Sequence, residues 1–305
     1  GTVVNLGPGA EPPRRISTLK YRSNGFGYTT DRRRQVFLID VPQIDEEPRY
    51  AVAPSAQDPT PEPVVSIPEP RRLTEGDFDH GDLAFSPEAV QVTGNHRRYG
   101  ISRMEYGPGG ALWFVAGDLG EHGVDFVGRG NQLWVRDAPG EAARLLTDPS
   151  MVDLDGELTV TTDGALVHAL ARGRVQLLQI AADGAVSCLV DGDLEVHSTD
   201  SLGGAIVVGY TDPSSMGELG LVTAEGLHSL SDFSAALRGA GVTPLEELSI
   251  TTRDGAEVHG WVLTPIDQEE PHPVLLVIHG GPFTQWGVSF FDEAQVYVDA
   301  GYAVV

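Results

Sequence analysis

Hydrophobic positions fall in short runs, rich in β-branched and aromatic residues and broken by Gly, Pro, Asn and Asp, over most of this chain. Such runs predict strands. Residues 16–41 hold two of them, the second being Gln35-Val36-Phe37-Leu38-Ile39-Asp40-Val41. Residues 42–70 carry Pro54, Pro59, Pro61, Pro63, Pro68 and Pro70 and read as an exposed, partly extended loop. Arg71-Arg72-Leu73-Thr74 and Leu83-Ala84-Phe85-Ser86-Pro87 follow. The pattern then repeats. One unit has Ala111–Val115, Gln132–Arg136 and Ala143–Thr147; the next has Leu158–Val160, Ala165–Leu170, Val175–Ile180 and Ser187–Val190. A last unit has Ala205–Tyr210, Glu218–Val222 and Leu227–Leu230. Four short strands per unit, at a period of roughly 40–50 residues, are what a β-propeller blade requires. The reason is geometric: a small twisted sheet buries its faces only against neighbouring sheets. A pair of β-sandwiches is the competing arrangement.

The pattern changes near residue 232. Phe233–Ala240 reads as a short helix or linker. Glu247–Thr252 and Glu257–Leu263 form a hairpin around Arg253-Asp254-Gly255. Pro265–Pro273 is a polar loop. Val274–Ile278 is a continuous apolar run, which predicts a strand covered on both faces. Phe290–Ala300 has helical length with an apolar face at Phe291, Ala294, Gln295 and Val298, and Gly301 suits its end. Tyr302–Val305 starts another buried strand, and the chain stops inside it. Strand, loop, helix, strand announces an α/β domain, and the expectation is a piece cut at both ends.

Composition narrows the function classes. The chain has 305 residues with 44 acidic and 20 basic side chains, a net charge of -24. No nucleic-acid partner and no anionic membrane surface are expected of it. Cys188 is the lone cysteine, so an intramolecular disulfide is excluded; a reducing, cytoplasmic setting is expected, and a secreted protein without disulfides would read the same way. No apolar run of about 18 residues occurs.

The chemistry sits in His279-Gly280-Gly281-Pro282, directly after the apolar run. Two glycines let the backbone turn sharply and bring amide hydrogens to a ligand. A loop in this place can supply one N–H of an oxyanion hole, which stabilises charge developing on a carbonyl oxygen. Gly281 is the expected donor, because Gly280 gives it room. Pro282 has no N–H. His279 is expected to hold the loop. Taken alone, a Gly-Gly turn after a strand is bland.

His279–Pro282, Trp286, Phe290, Gln295 and Gly301-Tyr302-Ala303-Val304-Val305 resemble the opening of the catalytic domain in prolyl oligopeptidase-type serine peptidases, in the acylaminoacyl-peptidase and dipeptidyl aminopeptidase branch. The hairpin with Asp254-Gly255 and Gly260-Trp261-Val262 is similar to that domain's entry. Tyr21–Val41, Arg71–Thr74 and Ala84–Pro87 resemble the same branch more loosely. The resemblance implies a mainly β chain: an incomplete β-propeller followed by the first strands and helix of a truncated α/β-hydrolase domain. Residues 1–232 would supply about four to five blades of the roughly seven in a family propeller. Residues 233–243 would be a linker, and 244–305 the start of the catalytic domain. It also implies hydrolysis of short or N-acylated peptides by a Ser-His-Asp triad, with no cofactor. The family's nucleophile sits on a Gly-x-Ser-x-Gly turn, which this chain lacks; Ser86, Ser214 and Ser215 stand in other contexts. The triad is therefore expected beyond Val305, and the chain as given is expected to be inactive. A related carboxylesterase and a non-catalytic propeller interaction protein remain alternatives. The oligomeric state is not readable.

Other residues carry blander readings. Asp77, Asp79, His80 and Asp82 crowd one loop without a known metal spacing, so no metal is expected. Arg32-Arg33-Arg34 and His96-Arg97-Arg98 read as surface charge. Trp113 and Trp134 read as core, and Cys188 as a structural thiol. Trp286 follows the oxyanion loop and is a candidate lining residue for a substrate pocket.

Overall fold

The computed structural model describes residues 22–23, 27–28, 35–39, 70–75, 83–85, 90–92, 98–123, 125–266, 268, 270–280 and 285–305. The chain divides into two compact units, residues 1–83 with 92–95, and residues 84–91 with 96–305.

In the first unit, β1 (Arg22–Ser23) pairs antiparallel with β2 (Gly27–Tyr28). Strand β3 (Phe37–Leu38) pairs antiparallel with β4 (Arg71–Arg72). Thr74 fastens this second pair: its hydroxyl accepts from Val36 N–H at 2.9 Å and donates to Gln35 Oε1 at 2.8 Å. Two short strands, β5 (Leu83–Phe85) and β6 (Val90–Val92), come next in the chain.

The second unit is built on three four-stranded antiparallel meanders. The first is β7 (Tyr99–Tyr106), β8 (Leu112–Asp118), β9 (Gln132–Arg136) and β10 (Arg144–Leu145). The second is β11 (Leu154–Thr161), β12 (Gly164–Ala171), β13 (Arg174–Ile180) and β14 (Val186–Val190). The third is β15 (Glu195–Leu202), β16 (Ala205–Asp212), β17 (Ser215–Thr223) and β18 (Gly226–Ser229). A single parallel pair, Val175 with Glu195, joins the second meander to the third.

Strand alternation explains the stacking. On β8, Trp113 and Val115 point to one side, where they meet Leu158, Val167 and Ile180 of the second meander. Leu112, Phe114 and Ala116 point to the other, against Met104 and Trp134. On β12, Ala165, Val167 and Ala169 join the first cluster, while Leu166 joins Leu177, Val196 and Val208 towards the third meander. The second meander is thus apolar on both faces and covered on each by a neighbouring sheet, as a propeller blade is and a sheet of a two-layer sandwich is not. Other blades expected upstream fall mostly on residues outside those described. Trp113 and Trp134 are core, as the sequence predicts.

Gly164 opens β12 with φ +132°, and a Cβ there would lie 2.2 Å from the Ile180 carbonyl oxygen. Only glycine fits that combination of turn and close approach. Strands β7 and β15 add to what alternation predicts. β15 is mostly polar, and only Val196 in it is fully buried.

The link out of the third meander is held by one carboxylate. Glu218 on β17 is buried and accepts from Phe233 N–H at 2.9 Å, Ser234 N–H at 2.8 Å and the Ser231 hydroxyl. Helix α1 (Ala235–Ala240) follows immediately. The Ser231 hydrogen bond, with those from Phe233 and Ser234, holds the Glu218 pKa at about 2. A depressed carboxylate stabilises the fold fully above its ordinary value of 4.5, and the contribution fades as pH falls towards about 2. The stability gap between wild type and Glu218→Gln, followed by urea unfolding, should therefore shrink over that window. A gap constant with pH would contradict the assignment.

In the α/β segment, β19 (Glu246–Thr251) and β20 (Glu257–Val262) form the expected hairpin. Leu263 bridges to Val304, and β21 (Val274–Leu275) lies parallel to β22 (Ala303–Val304). Helix α2 (Asp292–Asp299) buries Ala294 and Val298 against Leu263 and Val304. Gln295, also on the expected inner face, accepts from Thr243 N–H at 2.9 Å and donates to Thr243 O at 3.1 Å. One expectation fails. Val274–Ile278 is strand only at Val274–Leu275, and Val274, Leu276 and Ile278 are exposed instead of covered. The run alternates: Val277 packs towards Leu263 and α2, and the opposite side faces a cleft. Among the described residues, no helix is long and apolar enough to cross a membrane.

Candidate active-site cleft

A cleft of about 790 Å³ lies where the strand ends of the second and third meanders face the α/β segment. Arg172, Gly173, Glu195, His197 and Thr211 line one wall. Leu276, Ile278, His279, Trp261, Trp286 and Phe291 line much of the other. The first wall is polar and the second largely apolar, a combination that suits an organic ligand with a polar group to orient.

The expected oxyanion loop enters at this cleft. His279 and Gly280 are exposed, and His279 Nδ1 lies 2.7 Å from the Gly280 carbonyl oxygen. Gly281 and Pro282 lie outside the described residues. Trp286 lines the cleft, is 42% exposed and stacks on Phe291 with ring centroids 4.7 Å apart. Its carbonyl accepts the indole N–H of Trp261 at 3.3 Å.

Past Trp286, the chain runs along the meander ends. Gly173 N–H donates to Gln285 Oε1 at 3.3 Å, and Val288 N–H donates to Gly173 O at 2.8 Å. Ser289 N–H donates to Glu195 Oε1 at 2.9 Å, and Phe290 N–H donates to Asp212 O at 3.1 Å. The Ser289 and Thr211 hydroxyls share a hydrogen bond, and Thr211 Oγ1 lies 2.7 Å from His197 Nε2. Val288 is 1% exposed.

A charged cluster closes one end. Arg174 donates to Asp193 at 2.7 Å and to Glu247 at 3.0 Å, with its guanidinium 5.2 Å from the Trp261 ring centroid. His259 Nε2 sits 2.8 Å from Glu247 Oε1. The hydrogen bond from Arg174 is the largest cause holding the Glu247 carboxyl below its usual range. This cluster ties the β19–β20 hairpin to the second meander.

Of the remaining candidates, Arg98 pairs with Asp118 at 2.7 Å. Arg32, Arg33, Arg34, Asp77, Asp79, His80, Asp82, His96 and Arg97 lie outside the described residues. Among the described residues, no group of three or more His, Cys, Asp or Glu could hold a metal. Cys188 is on β14 as predicted but is exposed there, not packed in the core; partial burial still pushes its thiol pKa up. Glu195, Gly173, Gln285 and Ser289 escape sequence reasoning, because their partners lie about a hundred residues away along the chain.

Comparison with known proteins gives consistent matches. An uncharacterized peptidase of Bacillus subtilis, YuxL, is 44% identical over 62 residues, 20% of this chain and 9% of the relative. Dipeptidyl-peptidase 5 of Trichophyton equinum is 36% identical over 75 residues, 23% of this chain and 10% of the relative. Among solved structures, acylaminoacyl peptidase of Pyrococcus horikoshii superposes with a TM-score of 0.58 at 18% identity, over 72% of this chain and 33% of that one. A puromycin hydrolase superposes with a TM-score of 0.52 at 18% identity, over 76% of this chain and 35% of that one. At that identity the likeness shows the fold. No family model matches the chain.

Proposed function

We propose that this chain, which fits the prolyl oligopeptidase-type peptidases over the stretches compared, is part of a serine peptidase that hydrolyses short or N-acylated peptides. The observation that carries the reading is the cleft between meander ends and α/β segment, with His279 on its wall. A peptide carbonyl in such a cleft would be attacked by a Ser hydroxyl, with His as base and Asp orienting it. The Gly281 N–H would help hold the oxyanion. The apolar wall of Trp261, Trp286 and Phe291 would exclude water from the reacting centre and take up apolar substrate groups. The peptidase names of the relatives support the reaction class. The triad is proposed to follow residue 305.

A fluorophosphonate probe tests this. The product of the complete reading frame should be labelled on a Ser within a Gly-x-Ser-x-Gly turn, and should release product from N-acylated peptide substrates. The 305-residue chain alone should not be labelled. Stoichiometric labelling of that chain would refute the placement of the nucleophile, and an unlabelled, inactive complete product would refute the peptidase reading.

A further inference from the structure

We infer that Arg172 reads a substrate carboxylate, so that the cleft selects peptides carrying a free carboxylate beside an apolar group. The inference rests on the peptidase reading above and names the substrate class for the same cleft. Its starting point is a backbone outlier. Arg172 and Gly173 form the two-residue turn between β12 and β13, closed by the pairing of Ala171 with Arg174. Both have positive φ, +53° and +80°, and among the described residues Arg172 is the one non-glycine in that region. Hairpin turns of this kind favour Asn, Asp or Gly at the first central position. The matching turn of the third meander, closed by Leu202 and Ala205, uses Gly203-Gly204 at +60° and +86°. Arginine at 172 costs the backbone more than glycine would, so its side chain has to supply the reason it stands there.

The turn is a fixed base for that side chain. A Cβ on Gly173 would lie 2.8 Å from Trp261 Cζ2, so the turn rests on the indole. Gly173 also bonds Gln285 and Val288 through its N–H and carbonyl. Arg172 is the one Arg or Lys among the described residues that line the cleft. Its guanidinium is not consumed by the fold. The side chain is 61% exposed, and Glu247 Oε1, at 3.8 Å, is beyond hydrogen-bond reach. Glu247 already engages His259 with one oxygen and Arg174 with the other. Glu257 feels the Arg172 charge but accepts hydrogen bonds from Ser249 and Thr251. Arg174 is the contrast: it donates to both Asp193 and Glu247, and its side chain is only 20% exposed. A planar fork of N–H donors left open on a cleft wall matches a carboxylate, which it can hold with two parallel bonds. Trp261, Trp286 and Phe291 supply apolar surface in the same cleft.

Two matched peptide pairs test this on the complete protein. One is N-acetyl-Phe-Leu against its C-terminal amide; the other is N-acetyl-Phe-Glu amide against N-acetyl-Phe-Gln amide. Wild type should favour the charged member of at least one pair by about tenfold in kcat/KM, mostly through KM. Preference in the first pair identifies a terminal carboxylate, and in the second an acidic side chain. Arg172→Gly should bring the ratio to about one, and Arg172→Lys, which keeps the charge but not the fork, should leave it in between. Arg172→Gly should also unfold at no lower urea concentration than wild type, because glycine relieves the turn. No preference in wild type, or one that survives in Arg172→Gly, would overturn the inference. A clear loss of stability in Arg172→Gly would overturn it too, by assigning the arginine to the fold. If wild type neither turns over these peptides nor takes the fluorophosphonate, the peptidase reading fails by itself. Calorimetric binding of the same peptides then decides Arg172. Tighter binding of a charged member that Arg172→Gly abolishes upholds the inference, and equal or absent binding removes it.

Discussion

Replacing Gly281 by Pro in the complete protein is expected to lower kcat by about 10²–10³-fold, the usual cost of losing one oxyanion donor. The substitution removes the N–H at 281 and replaces none of the side chains that line the cleft. The new ring also fixes φ at 281 and restricts Gly280 before it, so the folding of the variant is checked first. KM should change much less than kcat, because the ground-state carbonyl carries little charge. Steady-state kinetics on a variant with wild-type thermal stability is the check. Unchanged turnover would assign the donor to another N–H of the loop.

Leu177→Ala is expected to cost about 2–5 kcal/mol in unfolding free energy. Leu177 has no exposed surface and lies in the cluster with Leu166, Val196, Val208 and Tyr210. That cluster joins the second meander to the third, so the cavity would open between two sheets that no covalent link other than the chain holds together. Urea unfolding measures the loss. A change under about 1 kcal/mol would mean that the two sheets close over the gap, and that the interface is softer than close packing implies.

The meanders are readable because their central strands are long apolar runs bounded by turn residues. Leu112–Asp118 and Gly164–Ala171 are nearly continuous apolar runs between turn signals, and both are central strands. The first strands of two meanders are much harder to see. Glu195–Leu202 reads Glu-Val-His-Ser-Thr-Asp-Ser-Leu, and the single buried Val196 gives no period to detect. Its place comes from pairing with β16, which is tertiary information. The α/β segment is readable in order: hairpin, β21, α2 and β22 stand where predicted. The expected two-sided cover of Val274–Ile278 is not, since an apolar run reports what a strand can bury and not what packs on it. The site divides likewise. His279, Gly280 and Trp286 stand out in the sequence, and His279 and Trp286 line the cleft. Glu195, Thr211 and Gly173 carry no local signal at all. They become part of the site only because the meander ends meet residues 285–290 in space.

The face-to-face stacking also sets how the protein comes apart. Each meander draws its stability from its own strands plus a term shared with the next, a nearest-neighbour series along the stack. The middle meander, β11–β14, shares two such terms, through the Val167 and Leu166 sides of β12. Opening it therefore breaks both interfaces at once, so within the three described meanders it is expected to open more slowly than its neighbours. The third meander, one of those neighbours, contributes Glu195, Thr211 and Asp212 to the anchoring of residues 289–290. Excursions of that outer sheet would loosen the anchoring without disturbing the middle of the stack, giving the cleft a softness independent of the protein's overall resistance to denaturation.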